Sequence, residues 1–474
     1  MDFDKDLAAR QEARSLCRQA EKAQKVLSGF SQKQLDEIVE AVAKAFSAAA
    51  VELAELAVRE TGFGNREDKV TKNRFASERV ARTIRGQKCV GVLKEDPKEK
   101  LWEVGVPVGV ICGIVPSTNP TSTVCYKSLI ALKSGNAIVF SPHPKAVSCT
   151  LRAAQIVGSA AERAGAPRGV VSCLSLASMA GCQELMGAKE VRLILATGGP
   201  GMVKAAYSSG KPAIGVGAGN GPAYIHHTAD VNKALECILK SKTFDNGTVC
   251  ASEQSIILER PLEEKVKSAA KKMGYYFMNT QEAAALAKLL FRPGGGLNPE
   301  IVGKPAVRLA EIAGFSVPQG TKILVAREEQ AGPNYPYSME KLCPVLAFYV
   351  MENEDAVLAK VVEVLEHEGA GHTFAMHAEA RDAVEKFAKA VPVSRFLVNT
   401  PAALGGIGAT TNLFPALTLG CGAVGGSSSS NNIGPMDLVN IRRVAWGTEE
   451  MQNQVQVDSE LVELLAQKIL ERLT

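Results

Sequence analysis

Apolar and polar positions change their spacing once along the chain. From about residue 7 to residue 85, apolar residues recur at helical spacing among Ala, Glu, Lys and Arg, which predicts successive helices. A polar stretch at 94–100 follows, and short apolar runs then alternate with helical segments. The predicted strands are 108–115, 137–140, 170–174 and 191–196, and the predicted helices 121–133, 146–164 and 179–187. This order predicts an α/β fold with a parallel, doubly wound sheet.

A second α/β set follows, with a helix at about 230–241, a strand at 255–258 and further alternation up to residue 397. The two sets predict two Rossmann-like domains. Residues 405–430 are rich in Gly and Ser and too long for a simple turn, so a binding loop is expected there. Residues 439–444 are expected to add a strand to a neighbouring one.

The end of the sequence has its own pattern. Residues 451–457 are polar, and Asp458 can cap a helix. The apolar positions of that helix are Leu461, Val462, Leu464, Leu465, Ile469 and Leu473. Two interpretations remain open: the helix packs on its own protein, or it is a tethered amphipathic peptide that docks in the groove of another protein.

Composition narrows the class of protein. With 474 residues, 46% hydrophobic and 22% charged, the chain has the balance of a soluble protein of two or three domains. A net charge of +4 without a basic patch argues against nucleic acid. No apolar run approaches the roughly 20 residues of a spanning helix, and no signal peptide is recognised. Eleven cysteines, an odd number, lie mostly in apolar segments, which is typical of the reducing cytoplasm.

One cysteine lies in a setting that suits catalysis. Residues 244–254 read FDNGTVCASEQ, and Asp-Asn-Gly favours a turn, so Cys250 is expected on a loop. Neighbouring backbone N–H groups can stabilise a thiolate there, and also the oxyanion that forms when the thiolate attacks a carbonyl. A lone cysteine among eleven is more often structural, so the loop alone leaves both interpretations open.

Further motifs stand in a set order along the chain. They are PVGVICGIVPSTNP at 107–120, SGNAIVFSPHP at 134–144, TGGPG at 197–201 and EKLCPV at 340–345. Together with the Cys250 loop, this order resembles the aldehyde dehydrogenase superfamily over roughly residues 5–449, and in particular its CoA-acylating branch. The final motifs, LTLGCG at 417–422 and NIGP at 432–435, resemble the acetaldehyde and succinate-semialdehyde type of that branch.

The resemblance implies a set of site residues. Cys250 is the expected nucleophile, and an amide near Asn119 the expected oxyanion donor, although an ungapped match places Thr118 at the amide position. Glu340 is expected to hold the nicotinamide ribose, and the 197–201 loop lies near a cofactor phosphate at a helix N-terminus. The full set of expected cofactor residues is Ser117, Thr118, Ser141, Pro142, Gly198, Gly199, Val216, Gly217, Glu340 and Leu342.

One departure from the hydrolytic members of the superfamily decides the expected reaction. Where those enzymes carry the glutamate that activates water, this chain has Val216, and 212–222 contains no carboxylate. Without a general base, water is a poor nucleophile, whereas the thiol of coenzyme A is a better one. His372, if it is not merely structural, suits proton exchange with that thiol. His226 and His227 have no further ligand at metal spacing, so no metal is predicted.

The sequence therefore predicts reversible oxidation of a short aliphatic aldehyde to an acyl-CoA, with NAD or NADP as cofactor. Residues 1–88 and 109–226 are assigned to the cofactor-binding domain and 227–430 to the catalytic domain. Strands at 89–108 and 431–449 are expected to form a homodimer or homotetramer. The 450–474 tail resembles peptides that load enzymes into bacterial microcompartments by binding shell protein. The alternatives are a hydrolytic aldehyde dehydrogenase and a non-catalytic scaffold.

Overall fold

A computed structural model describes residues 4–292, 296–448 and 459–473. Its first part is helical, as predicted, and a π-helical turn at Phe75–Arg79 separates the last two helices. The helix α2 begins with a capping box between Ser31 and Gln34, which satisfies two backbone N–H groups at its start. The helices are α1 (Lys5–Leu27), α2 (Gln32–Ala48), α3 (Ala50–Thr61), α4 (Arg66–Arg74) and α5 (Val80–Ile84).

Two strands, β1 (Gly91–Asp96) and β2 (Leu101–Pro107), lead into the first α/β unit. That unit is a parallel five-stranded sheet in the order β5-β4-β3-β6-β7. Its elements are β3 (Val110–Ile114), α6 (Pro120–Lys133), β4 (Ala137–Ser141), α7 (Val147–Arg163), β5 (Val171–Cys173), α8 (Met179–Gly187), β6 (Val191–Thr197), α9 (Pro200–Tyr207) and β7 (Ala213–Val216). The predicted alternation of strands and helices is confirmed.

Both faces of the five-stranded sheet are covered, which explains its continuous apolar runs. Ile111 packs into the layer that contains residues of α2, α6 and α7. Its neighbour Cys112 points to the opposite face, into the layer that contains residues of α1 and α8. Because strand side chains alternate between faces, each layer takes every second residue of the central strand.

The second α/β unit is a parallel seven-stranded sheet in the order β10-β11-β12-β9-β8-β13-β14. Its elements are β8 (Gly221–Ile225), α10 (Val231–Thr243), β9 (Glu253–Glu259), α11 (Glu263–Lys272), β10 (Tyr275–Phe277), α12 (Thr280–Leu290), α13 (Ala306–Ala313), β11 (Ile323–Arg327), β12 (Val345–Met351), α14 (Glu354–His367), β13 (Gly371–His377), α15 (Arg381–Ala390), β14 (Val393–Val398) and α16 (Ala402–Gly406).

The sheet organisation corrects one expected boundary. Residues 1–88 and 109–226 were assigned to the first domain, but β8 pairs with β9 and β13 in the seven-stranded sheet. Residues 221–225 therefore lie with the second unit. The boundary was misplaced because β7 and β8 follow each other after only four residues, so that no helix marks the change of sheet.

Two further elements complete the described structure. β15 (Val439–Ala445) pairs antiparallel with β2, which also pairs antiparallel with β1, so these strands form a three-stranded sheet. The helix α17 (Ser459–Leu473) confirms the predicted terminal helix, and all its described residues are exposed. The polar stretch 451–457 and the expected cap Asp458 lie outside the described residues.

Candidate active site

One cleft brings together most of the predicted site residues. It lies where β3, β6 and β7 end, and it encloses about 1050 Å³ including its open mouth. Ten of the thirteen predicted residues line it: Cys250, Asn119, Ser117, Thr118, Gly198, Gly199, Val216, Gly217, Glu340 and Leu342. Ligands of open α/β sheets bind beyond the carboxyl ends of the strands, and this cleft has that position.

The segment that leads to Cys250, residues 244–250, is called the nucleophile turn below. Asp245, Asn246 and Gly247 all adopt left-handed backbone conformations, with φ of 48°, 52° and 78°. Asp and Asn tolerate this conformation better than other residues with a Cβ atom, and Gly adopts it freely. At Gly247 a Cβ atom would also lie 3.0 Å from the backbone of Cys343. The Asp-Asn-Gly sequence therefore determines the local path of the chain before Cys250.

Buried charges fix the nucleophile turn to helix α4. The carboxylate of Asp245 accepts hydrogen bonds from Lys72 Nζ at 2.5 Å and Lys69 Nζ at 2.9 Å. Its other oxygen accepts from the backbone N–H of Asn65 at 2.8 Å. Burial alone would raise the pKa of Asp245, but Lys72 and Lys69 hold it below its usual value. The carboxylate is thus ionised and joins the helical layer to the catalytic loop.

Cys250 lies directly after this turn and is half-buried on the cleft wall. Its carbonyl oxygen approaches Gly219 so closely that a Cβ atom there would lie 2.0 Å away. Burial, and secondly the negative charge of Glu340, raise the pKa of the Cys250 thiol to about 12, whereas Arg395 acts in the opposite direction. A thiol with that pKa is mostly protonated at neutral pH.

Glu340 is the carboxylate that lines the cleft. Its Oε1 accepts a hydrogen bond from the Gly219 N–H at 3.0 Å. Burial and the nearby Glu368 raise the pKa of Glu340 to about 8. At neutral pH a carboxyl group with that pKa mostly keeps its proton, and in that form it does not act as a base. Val216, at the position of the water-activating glutamate in hydrolytic relatives, is buried in the same cleft.

Glu253 is nearer to Cys250 along the chain, but it faces elsewhere. Its Oε1 accepts from the Ala402 N–H at 2.9 Å, and it is fully buried outside the cleft lining. Burial raises its pKa to about 7. Glu253 is therefore not in position to activate water at Cys250.

The amide of Asn119 is held by three neighbours. Lys72 Nζ donates to Asn119 Oδ1 at 2.6 Å. The Nδ2 atom donates to the carbonyl oxygen of Thr248 and to the hydroxyl of Thr118, each at 3.2 Å. Both candidates for the oxyanion donor, Thr118 and Asn119, thus line the cleft next to each other. Lys72 was not predicted from the sequence.

The expected phosphate loop presents its backbone to the cleft. Gly199 precedes α9 and makes no side-chain cap, so the first N–H groups of this helix lack a side-chain partner. A Cβ atom at Gly199 or Gly217 would meet nothing within 4 Å. An uncapped helix start beside open space is a suitable site for an anion, so the residues present fit a dinucleotide phosphate.

His372 does not line the cleft. It is fully buried beneath Gly219, where a Cβ atom would lie 3.1 Å from His372 Cε1. Its Nδ1 lies 2.9 Å from the Thr373 hydroxyl, which also accepts from Arg395 Nε at 3.4 Å. Burial and Arg395 lower the pKa of His372 to about 3. A histidine with that pKa is a weak base, and it lies outside the cleft lining, so both features disfavour the expected proton exchange by His372 with a thiol.

Ser141 and Pro142 are buried at the end of β4 and do not line the cleft, although the next residue, His143, does. Thr197 and Leu417, the first residues of two of the motifs, also line the cleft, and so does Lys72. Within the described ranges, no three His, Cys, Asp or Glu side chains are grouped to hold a metal ion. None of the helices described is long and apolar enough to cross a membrane.

Comparisons with known proteins establish the family. Residues 5–279, more than half of the chain, match the model described as "Aldehyde dehydrogenase family". The chain belongs to the aldehyde dehydrogenase family.

Two relatives are similar over most of this chain. The bifunctional aldehyde-alcohol dehydrogenase AdhE of Escherichia coli (strain K12) is 45% identical over 445 residues, which cover 93% of this chain and 50% of that protein. The chain thus spans about half the length of such relatives. The succinate-semialdehyde dehydrogenase (acetylating) of Clostridium kluyveri is 35% identical over 438 residues, 92% of this chain and 96% of that protein.

Solved structures show the same fold. An acetylating aldehyde dehydrogenase from Geobacillus thermoglucosidasius has a TM-score of 0.93 and 48% identity, covering 95% of this chain and 100% of that one. A propionaldehyde dehydrogenase from Rhodopseudomonas palustris with bound propionyl-CoA has a TM-score of 0.82 and 28% identity, covering 92% of this chain and 94% of that one. A propionaldehyde dehydrogenase from the Clostridium phytofermentans fucose utilisation bacterial microcompartment has a TM-score of 0.83 and 28% identity, covering 95% of this chain and 99% of that one.

The raised pKa of Cys250 predicts how its alkylation depends on pH. Because only the thiolate reacts, the rate of iodoacetamide modification should rise about tenfold per pH unit from pH 8 to pH 10, without a plateau. Glu340→Gln removes a negative charge beside the sulfur, so it should lower the thiol pKa and speed alkylation at each of these pH values. Mass spectrometry of the Cys250 peptide, with Cys250→Ser as control, measures this. A plateau below pH 9 in the wild type would contradict it.

Proposed function

We propose that this chain is a CoA-acylating aldehyde dehydrogenase that reversibly converts a short aliphatic aldehyde to an acyl-CoA. The observation that supports this most directly is the composition of the cleft wall. Cys250 opens onto a cleft with Val216 where hydrolytic relatives have their base, while Glu340 has its pKa raised to about 8. This site has a nucleophile for the aldehyde and lacks an effective base for water.

The residues of the chain divide the reaction between them. The Cys250 thiol first loses its proton to water at the open mouth of the cleft, and the thiolate attacks the aldehyde carbonyl. The backbone N–H of Cys250 and the amide of Asn119 bind the resulting oxyanion. When bound, NAD or NADP supplies the hydride acceptor. The Gly198–Gly199 loop and α9 bind its phosphates, and Glu340 its nicotinamide ribose. The thioester then remains on Cys250, since Val216 cannot activate water, until the thiol of coenzyme A removes the acyl group.

The relatives add support for the substrates. Proteins named as acetylating or acylating dehydrogenases are 35% and 33% identical to this chain over more than nine-tenths of its length. Solved relatives contain bound propionyl-CoA in one case and NADP+ in another. We propose coenzyme A and NAD or NADP as the co-substrate and cofactor of this chain, and a homodimer or homotetramer formed through β1, β2 and β15.

Formation of NADH or NADPH from propionaldehyde, measured with and without coenzyme A, tests this function. Steady-state turnover should require coenzyme A and should be lost in Cys250→Ala. Cys237→Ala, which changes a half-buried cysteine on α10 away from the cleft, should keep full activity. Equal turnover without coenzyme A would favour the hydrolytic alternative. No turnover with either cofactor, together with an unreactive Cys250, would favour a scaffold.

The helix α17 suggests a second role for this chain. All its described residues are exposed, and the exposed apolar ones include Leu461, Leu464, Leu465 and Ile469. An amphipathic helix whose described residues are all exposed suits a groove on a partner. A relative of this fold comes from a bacterial microcompartment. We propose that α17 binds a microcompartment shell protein.

Deletion of residues 451–474 should leave CoA-dependent activity intact and abolish co-sedimentation with co-expressed microcompartment shells. Leu461→Glu with Leu465→Glu tests the apolar face without shortening the chain, because the two residues are one helical turn apart. Glu463→Gln is the matched control on an exposed position and should still co-sediment. Retained association of the double variant, or loss of folding on deletion, would contradict a tethered docking helix.

A further inference from the structure

Lys72 is a buried cation whose hydrogen bonds converge on the catalytic loop. It lies on α4 and is 3% exposed. Its Nζ donates to Asp245 Oδ2 at 2.5 Å, Asn119 Oδ1 at 2.6 Å and Thr248 Oγ1 at 3.0 Å. An ammonium group has three N–H donors and no acceptor, so these three partners use all of them.

The contact with Lys72 settles the orientation of the Asn119 amide. An amide oxygen and nitrogen are hard to distinguish by shape, but an ammonium group can only donate, so the atom at 2.6 Å must be the oxygen. The Nδ2 atom consequently points to the other side, towards the Thr248 carbonyl at 3.2 Å. Thr248 lies two residues before Cys250, so the donor atom of Asn119 faces the nucleophile turn.

The contacts made by Asn119 Nδ2 leave it available to a ligand. Both are 3.2 Å long, at the upper end of the usual range, and both go to neutral oxygens. A hydrogen bond to a negatively charged oxygen is shorter and roughly twice as strong. An oxyanion that forms in the cleft therefore competes well for this donor, provided that the amide does not turn.

Lys69 offers a comparison within the same cluster. It is equally buried and donates to the same carboxylate oxygen of Asp245 at 2.9 Å. It also donates to the backbone oxygen of Thr118 at 3.0 Å, and neither of these hydrogen bonds goes to the Asn119 side chain. Both lysines are therefore positively charged and have Asp245 as their counter-ion, but only Lys72 is hydrogen-bonded to the side-chain amide of Asn119.

We propose that Lys72 is a positioning residue for formation of the Cys250 thioester: it holds Oδ1 of Asn119 so that Nδ2 is aimed at the substrate oxyanion. The inference rests on the proposed function for the identity of the reaction. It assigns Lys72 no contact with the substrate. The inference also selects Asn119 over Thr118 as the side-chain oxyanion donor. Lys72 orients the side-chain amide of Asn119, whereas Lys69 contacts only the backbone oxygen of Thr118.

The pre-steady-state burst of NADH from propionaldehyde and NAD without coenzyme A isolates this step. Asn119→Ala should slow the burst by about 10²-fold, the usual loss for one oxyanion donor. Lys72→Met should slow it by roughly tenfold or more, since a misplaced group loses much of its effect. The double variant should be no slower than Asn119→Ala, because Lys72 acts through the amide. Lys69→Met should cause a much smaller loss.

Alkylation of Cys250 by iodoacetamide is the second measurement, since it needs the thiolate and no oxyanion donor. Its rate in Lys72→Met should stay close to that of the wild type. Should Lys72→Met fail to fold, Lys72→Gln retains an N–H donor for Asn119 Oδ1 without the charge. That variant should keep most of the burst rate.

Several results would overturn the inference. In the burst measurement, these are rate losses that multiply in the double variant, or a burst in Lys69→Met as slow as that in Lys72→Met. A burst in Lys72→Gln as slow as that in Asn119→Ala would also overturn it. In the alkylation measurement, the contradicting result is a rate in Lys72→Met that falls together with its burst rate. A wild-type burst followed by discharge to water would contradict the proposed function alone, because the thioester step is common to both reactions. No burst in the wild type would overturn both.

Discussion

The ion pair between Asp245 and the two lysines of α4 is the interaction on which the site depends. The carboxylate belongs to the loop that ends at Cys250, and the lysines belong to the helical layer beside the first sheet. Removing Asp245 would leave two buried ammonium groups without their shared counter-ion, and loss of one side of a buried ion pair typically costs about 3–5 kcal/mol. Asp245 is also the first of the three consecutive left-handed residues at 245–247. The ion pair therefore ties the start of the nucleophile turn to helix α4.

The groups around Cys250 determine which reactions are favoured at its sulfur. Burial, and secondly Glu340, raise the pKa of the Cys250 thiol, so only a small fraction of it is thiolate at neutral pH. The valine at 216 and the protonated carboxyl of Glu340 leave the neighbourhood poor in bases. A thioester formed at such a site persists until a stronger nucleophile than water arrives. In the proposed mechanism, the lack of a base near Cys250 slows hydrolysis of the thioester, so the acyl group remains available for transfer to a thiol.

The elements of the fold could be predicted where periodicity was regular. The helix at 179–187 and four strands of the five-stranded sheet, β3 to β6, agree with the apolar pattern to within a few residues, whereas β7 (Ala213–Val216) was not predicted. The boundary at 226 was wrong, since a change of sheet between β7 and β8 leaves no mark in the local pattern. Pairing of strands is decided by tertiary contacts that periodicity does not carry.

The site could be predicted only as far as its motifs reached. Cys250, Asn119 and Glu340 were found because ordered motifs surround them. Lys72 was not, since its partners lie 47 and 173 residues away and a lysine on a polar helix resembles any exposed lysine. His372 was named from the sequence, yet its burial and low pKa depend on the packing of the folded chain, which places Gly219 and Arg395 next to it.

The persistence of the Cys250 thioester is the property that separates acyl transfer from hydrolysis. Intact-mass spectrometry of the enzyme mixed with NAD and propionaldehyde, without coenzyme A, measures it directly. Each subunit should gain one propionyl group at Cys250, retain it over many minutes and lose it as propionyl-CoA when coenzyme A is added. An unmodified Cys250 while propionate accumulates well beyond one equivalent per subunit would contradict this mechanism.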